Sequence, residues 1–191
     1  MRKITSKYKE EKRKKRNGII VGIILIGIMI SSTIGYSFLG GEKDNLKKIN
    51  YNGFTFEEQN GFWITNINNL LFTFKYNPTQ IEEINSSLNV LDNYYNKPLY
   101  IYSKNEEAEL EIYRNLFYQN KIIQRMQSAC LEGDICEGNL PIKSCEDNFI
   151  KITEGNISKI IQEENCVFIE GEKGNLTKLA DEFLFNILEI R

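Results

Sequence analysis

Histidine is absent from the 191 residues. With no imidazole the chain has neither a Ser-His-Asp nor a Cys-His nucleophile pair, and no histidine-ligated metal. Most common hydrolase and zinc-enzyme chemistries are thereby excluded. Charged side chains are missing from residues 18–39, and cysteine is missing from the first 129 residues. No Cys-x-x-Cys occurs anywhere, which argues against a thioredoxin-like pair or a zinc knuckle.

What charge there is falls unevenly. The net charge of -2 conceals a basic tail, residues 1–17, with nine Lys or Arg against Glu10 and Glu11. Residues 42–191 carry 15 basic and 24 acidic side chains. An acidic body behind a short basic tail does not suit nucleic acid, so no nucleic-acid partner is expected; it suits a membrane-associated tail.

Residues 18–39 read GIIVGIILIGIMISSTIGYSFL. At about 1.5 Å per residue a helix of this length reaches roughly 33 Å, against about 30 Å of bilayer hydrocarbon. Lys12, Arg13, Lys14, Lys15 and Arg16 precede it, and the positive-inside bias holds them in the cytoplasm. The expectation is one uncleaved transmembrane helix at 18–39 contacting the lipid bilayer, a cytoplasmic tail at 1–17, a linker at 40–50 and an extracytoplasmic domain at 51–191. A cleaved signal would have a shorter apolar core and an Ala-x-Ala site, which is lacking. Basic residues, Gly18 and a long apolar run also resemble a type IV pilin-like leader. The acidic residue usual five positions into such a helix is replaced here by Ile23.

Cys130, Cys136, Cys145 and Cys166 all lie in the part expected outside. An even number in an oxidising compartment predicts two disulfides. The favoured pairing joins Cys130 to Cys136 at the end of a helix, and Cys145 to Cys166 between neighbouring strands.

Alternation of Phe54 with Phe56, the Asn60-Gly61 pair and an Asn-rich turn at 66–69 predict a three-stranded antiparallel meander. Thr79 and Glu82 fit a capping box for a helix to about Leu91. Residues 99–102 read as a doubly covered strand. Ser103 and Glu106 fit a second box, opening a helix to about Cys130 with Ala108, Ile112, Leu116, Ile123 and Met126 on one stripe. Further strands are expected at 140–142, 149–153, 157–161 and 166–170, and a last helix from Leu176 to about Ile190. A crossover around the long helix makes part of the sheet parallel. The fold class is thus α/β (α+β), a mixed β-sheet packed with helices, preceded by the transmembrane helix.

Several segments invite chemistry. Gly171-Glu172-Lys173-Gly174 lies between strand and helix, but its acids repel phosphate and it is short of a Walker pattern. Residues 132–139 offer oxygen ligands without the alternating carboxylates of a calcium loop. Tyr94, Tyr95, Tyr100 and Tyr102 combine apolar area with polar tips suited to a carbohydrate or peptide face. Glu57-Glu58, Glu82-Glu83 and Glu163-Glu164 are adjacent pairs, which point apart and make poor acid/base partners. No catalytic residue, cofactor or metal site is expected. Asn85, Asn156 and Asn175 begin Asn-x-Ser/Thr sequons on the expected outer side, in a number close to chance.

The NGFWITNI hairpin, the PLYIYS strand before a long helix, the cysteine series ending in ENCVFIEG and the closing LADEFLFNILEI helix resemble small single-pass membrane proteins of archaeal type. That resemblance implies an envelope location and a disulfide-containing extracytoplasmic domain, and carries no activity across. The expected function is a non-enzymatic, membrane-anchored domain that binds or assembles with another envelope protein. The alternatives are a pilin-like or surface-layer subunit, and an enzyme using carboxylates or calcium.

Overall fold

The computed structural model describes residues 7–39, 47–136 and 138–191, with side chains described from residue 15 to residue 31 in the first stretch. The chain divides into two units, residues 1–45 and 46–191.

In the first unit α1 runs from Lys7 to Leu39. From Ile19 to Ile30 large aliphatic side chains are exposed at nearly every position, Ile19, Ile20, Val21 and Ile23 among them. Because successive helical residues differ by about 100°, these side chains cover every side of the helix. Ser31 sits in this apolar surface by donating its hydroxyl to the Gly27 carbonyl, at 2.7 Å. Among the described residues no helix is long and apolar enough to cross a membrane, the described side chains numbering seventeen. The first six residues of the expected tail, the side chains of 32–39 and residues 40–46 of the expected linker lie outside the described residues.

The second unit opens with four antiparallel strands in sequence order: β1 (Lys48–Tyr51), β2 (Phe54–Gln59), β3 (Phe62–Ile67) and β4 (Leu70–Phe74). The expected three-stranded meander has a fourth strand, and β1 occupies the end of the expected linker. All three hairpins have two-residue loops with φ positive at both positions: Asn52-Gly53, Asn60-Gly61 and Asn68-Asn69. That is type I′ geometry, whose twist matches the strands and which Asn and Gly tolerate best.

A helix does not form from Thr79 to Leu91. The capping box is Asn77 with Gln80, it opens only the short 3₁₀ turn Pro78–Gln80, and residues 82–90 have no regular structure. Side chains from elsewhere take their backbone groups. Arg191 donates to the Pro78 carbonyl and, at 3.0 Å, to that of Ile81. The Ile84 N–H donates to Glu182 at 3.1 Å, and the Asn89 N–H to Gln162 at 2.8 Å.

The second sheet comprises β5 (Pro98–Ser103), β6 (Arg125–Ser128), β9 (Asn148–Glu154), β10 (Lys159–Glu163) and β11 (Cys166–Gly171), in the order β10-β11-β9-β5-β6. Only the β10–β11 pair is antiparallel. A separate short parallel pair joins β7 (Cys130–Leu131) to β8 (Ile142–Lys143). The crossover from β5 to β6 holds α2 (Glu106–Tyr113), and α3 (Leu176–Ile187) follows β11. The observed class is a mixed α+β fold with sheets packed against helices.

The long helix expected to reach Cys130 is much shorter. Its N-cap is Asn105, which accepts from the Ala108 N–H at 2.9 Å, while Ser103 turns the approach by accepting from the Asn105 N–H. After Tyr113 the coil widens into a π-helical turn, Arg114–Gln119. Lys121 then adopts φ 53°, and the amides of both Ile122 and Ile123 donate to the Leu116 carbonyl. Met126 and Cys130 therefore belong to strands β6 and β7.

A single apolar cluster joins the meander, both helices and one face of the mixed sheet. Phe56 and Phe74 meet Phe185 of α3 at 6.1 and 4.6 Å between centroids. Ile101, Ile150, Ile152 and Ile169 close the cluster from the sheet side. The outer edge of β4 is satisfied by side-chain amides that imitate a fifth strand. Asn115 both accepts from the Thr73 N–H and donates to its carbonyl, each at 2.8 Å. Asn120 does the same for Leu71, at 3.1 and 2.9 Å.

Candidate functional site

Alternation along the mixed sheet that sends Leu99, Ile101, Ile150 and Ile152 inward sends Tyr100, Tyr102, Phe149 and Lys151 outward. Segment 129–147 crosses this outer face, and Ala129, Leu131 and Cys145 pack there on Tyr100, Phe149 and Cys166. Both disulfides fasten the cover. Cys130 pairs with Cys136 and Cys145 with Cys166, the pairing expected from sequence. The second bond ties the segment before β9 to the first residue of β11. The first closes its loop beside strand β7, not at a helix end.

A recess of about 440 Å³ opens where the cover ends. Tyr102, Lys151 and Thr153 form its floor, and Asp134 and Ile135 of the disulfide-closed loop form one wall. Lys151 and Asp134 are joined by an ion pair of 2.6 Å. Ile135 is 100 % exposed, an aliphatic side chain held in water by a covalently closed loop.

A polar cluster lies on the same outer face. The Arg125 guanidinium donates to the Tyr100 hydroxyl at 3.0 Å, and the Lys143 ammonium lies 4.1 Å from the ring centroid. Lys143 also pairs with Asp147 at 3.1 Å. The hydrogen bond from Arg125, then that from Lys143, lowers the Tyr100 pKa below that of an ordinary phenol. Hydrogen bonding to Tyr100 and to Asp147 raises that of Lys143. Such a grouping can present cationic donors to an anionic partner.

The four tyrosines singled out from sequence do not form one face. Tyr100 and Tyr102 share the outer sheet face, Tyr95 is exposed elsewhere, and Tyr94 lies in the core against Phe183. Burial drives the Tyr94 pKa far up, and its hydroxyl has no hydrogen-bond partner among the described residues.

Among the other candidates, the loop at 171–174 is explained by packing. A Cβ on Gly171 would lie 2.5 Å from Leu179 Cδ1 of α3, so a larger residue there would displace that side chain. In the loop at 132–139, Asp134 is engaged by Lys151, and Glu137 lies outside the described residues. Among the described residues no cluster of three or more acidic or cysteine side chains could hold a metal ion. Glu57 and Glu58 pair with Lys48 and Lys47 across the meander edge. Asn85 and Asn156 are exposed, and Asn175 is half-buried at the start of α3.

Sequence reasoning missed the buried carboxyls. Asp181, at 0 % exposure, accepts from the Tyr76 N–H at 2.8 Å and faces Glu111, which Arg114 grips through both oxygens at 3.0 and 2.9 Å. Burial, and then the charge of Glu111, push the Asp181 carboxyl well up; burial also raises Glu111 against the opposing pull of Arg114. The remaining Asp181 oxygen has no donor among the described residues, so a proton placed on it and directed at Glu111 satisfies both. Glu182 is buried against Arg191. Two consecutive acids within the apolar run LADEFLFNIL were the available signal. Arg125 gave none, because it fell inside the helix expected there.

Comparison with protein-family models, curated proteins and solved structures finds no match.

Proposed function

We propose that the protein is anchored in a cell membrane by residues 18–39, with its basic end in the cytoplasm and the domain beyond residue 46 outside. There the disulfide-fastened outer face of the mixed sheet binds another envelope protein, without catalysis. The observation that carries this reading is the pairing of all four cysteines beyond an N-terminal helix that is apolar on every side. A helix without a polar stripe has no face to bury against one soluble neighbour, and lipid satisfies it all round. Disulfides persist in an oxidising compartment, which agrees with the orientation set by Lys12 to Arg16. The partner meets Arg125 and Lys143 with anionic groups, and accommodates Ile135.

Protease added to sealed, right-side-out cells tests the topology. The expected result is loss of the domain with survival of a short membrane-embedded N-terminal fragment; full protection until the membrane is broken would overturn it. Charge reversal at Arg125 with Ile135→Asp tests the binding face, and should release the partner captured by crosslinking to the native protein.

A further inference from the structure

The three sequons, far apart in sequence, converge in space. A recess of about 570 Å³ is lined by Asn85 of the irregular segment, by Ser158 of the β9–β10 turn and by Asn175 at the start of α3. Ser158 is the hydroxyl residue of the Asn156 sequon, so one residue of each sequon lines the recess. We infer that Asn85 and Asn156 are N-glycosylation sites and that Asn175 is spared. This rests on the extracytoplasmic reading above.

Geometry distinguishes the three. A transferase must reach the amide and the hydroxyl two residues later from one side. Extended backbone presents positions i and i+2 on the same side, whereas a helix turns them about 200° apart. Asn85 and Ser87 are exposed in a segment without regular structure, and Asn156 and Ser158 are exposed in a turn. Asn175 leads into α3, and Thr177 is buried with its hydroxyl directed at Glu107. The two open sequons also share an acid two positions ahead, Glu83 and Glu154, where Asn175 has Lys173. A transferase that reads an acid there selects the same pair.

The step needs a polyprenyl-phosphate-activated oligosaccharide as donor. The Asn amide nitrogen bonds to the anomeric carbon as the bond from that carbon to the phosphate oxygen breaks. Lipid phosphate departs with the electron pair, the amide proton is lost to base, and nothing is oxidised or reduced.

The test is mass spectrometry of the full chain extracted from its own membranes, intact and after proteolysis, with thiols alkylated before and after reduction. Glycopeptides at Asn85 and Asn156, an unmodified peptide at Asn175, and loss of one glycan mass in each of Asn85→Gln and Asn156→Gln are expected. A bare chain with all cysteines oxidised would overturn the glycan sites alone. A bare chain with free thiols would overturn the extracytoplasmic reading with them. Glycan on Asn175 in place of the other two would overturn the selection argued here.

Discussion

Asp181 illustrates how a single buried group sets pH dependence. Its carboxyl has a folded-state pKa raised by burial and by Glu111, so the folded chain binds a proton that the unfolded chain has released. The stability it contributes is complete below the ordinary carboxylate pKa, near 4, and is lost as pH rises through the folded value. Asp181→Asn keeps an acceptor for the Tyr76 N–H and a donor for Glu111 without a titrating proton. Urea midpoints followed from pH 4 to pH 8, on the order of the carboxylate range upward, should flatten relative to the native protein; an unchanged slope would refute the shared proton. At Tyr100 the hydrogen bond from Arg125 is the leading cause of the lowered pKa. Arg125→Ala should move that phenol back up in an ultraviolet difference titration, and no movement would mean that Lys143 alone sets it.

Elements hold together here through side chains standing in for backbone. Asn115 reproduces a strand partner for Thr73 within the core, so Asn115→Ala strands a buried N–H and a buried carbonyl. At roughly 1–3 kcal/mol for each orphaned group, a loss of about 2–6 kcal/mol is expected in chemical denaturation. Asn120→Ala should cost less than about 1 kcal/mol, because its exposed site admits water. The same feature explains what the sequence could and could not reveal. Asn60-Gly61 announces its turn locally, and alternation through 148–154 announces β9. Residues 81–90 carry helix-compatible side chains, but their backbone is claimed by Glu182, Arg191 and Gln162 from distant parts of the chain. Likewise the apolar spacing from Ala108 to Met126 fits one helix, while the left-handed turn at Lys121 redirects the chain into β6. Arg125 was hidden by that error, and with it the cluster around Tyr100. The disulfide pairing was legible because few spacings were available.

For the molecule as a whole, the disulfides matter in proportion to the chain they enclose. Cys145 and Cys166 are 21 residues apart and Cys130 and Cys136 only six. Loop-closure entropy then assigns about 3 kcal/mol to the first and about 2 kcal/mol to the second. Replacing Cys145 and Cys166 by Ser should lower the urea midpoint more than replacing Cys130 and Cys136, while leaving the fold intact because one apolar cluster spans both sheets and both helices. The smaller loop encloses Ile135, which lines the recess.

The proposed topology places an oxidised domain beyond an apolar membrane helix. Its most direct measurement is alkylation of free thiols in the membrane fraction of unbroken cells, before and after reduction, followed by intact mass of the extracted chain. The expected result is a chain retained by the membrane, with no thiol labelled before reduction and four labelled after it. Recovery in the soluble fraction, or four thiols labelled without reduction, would contradict it.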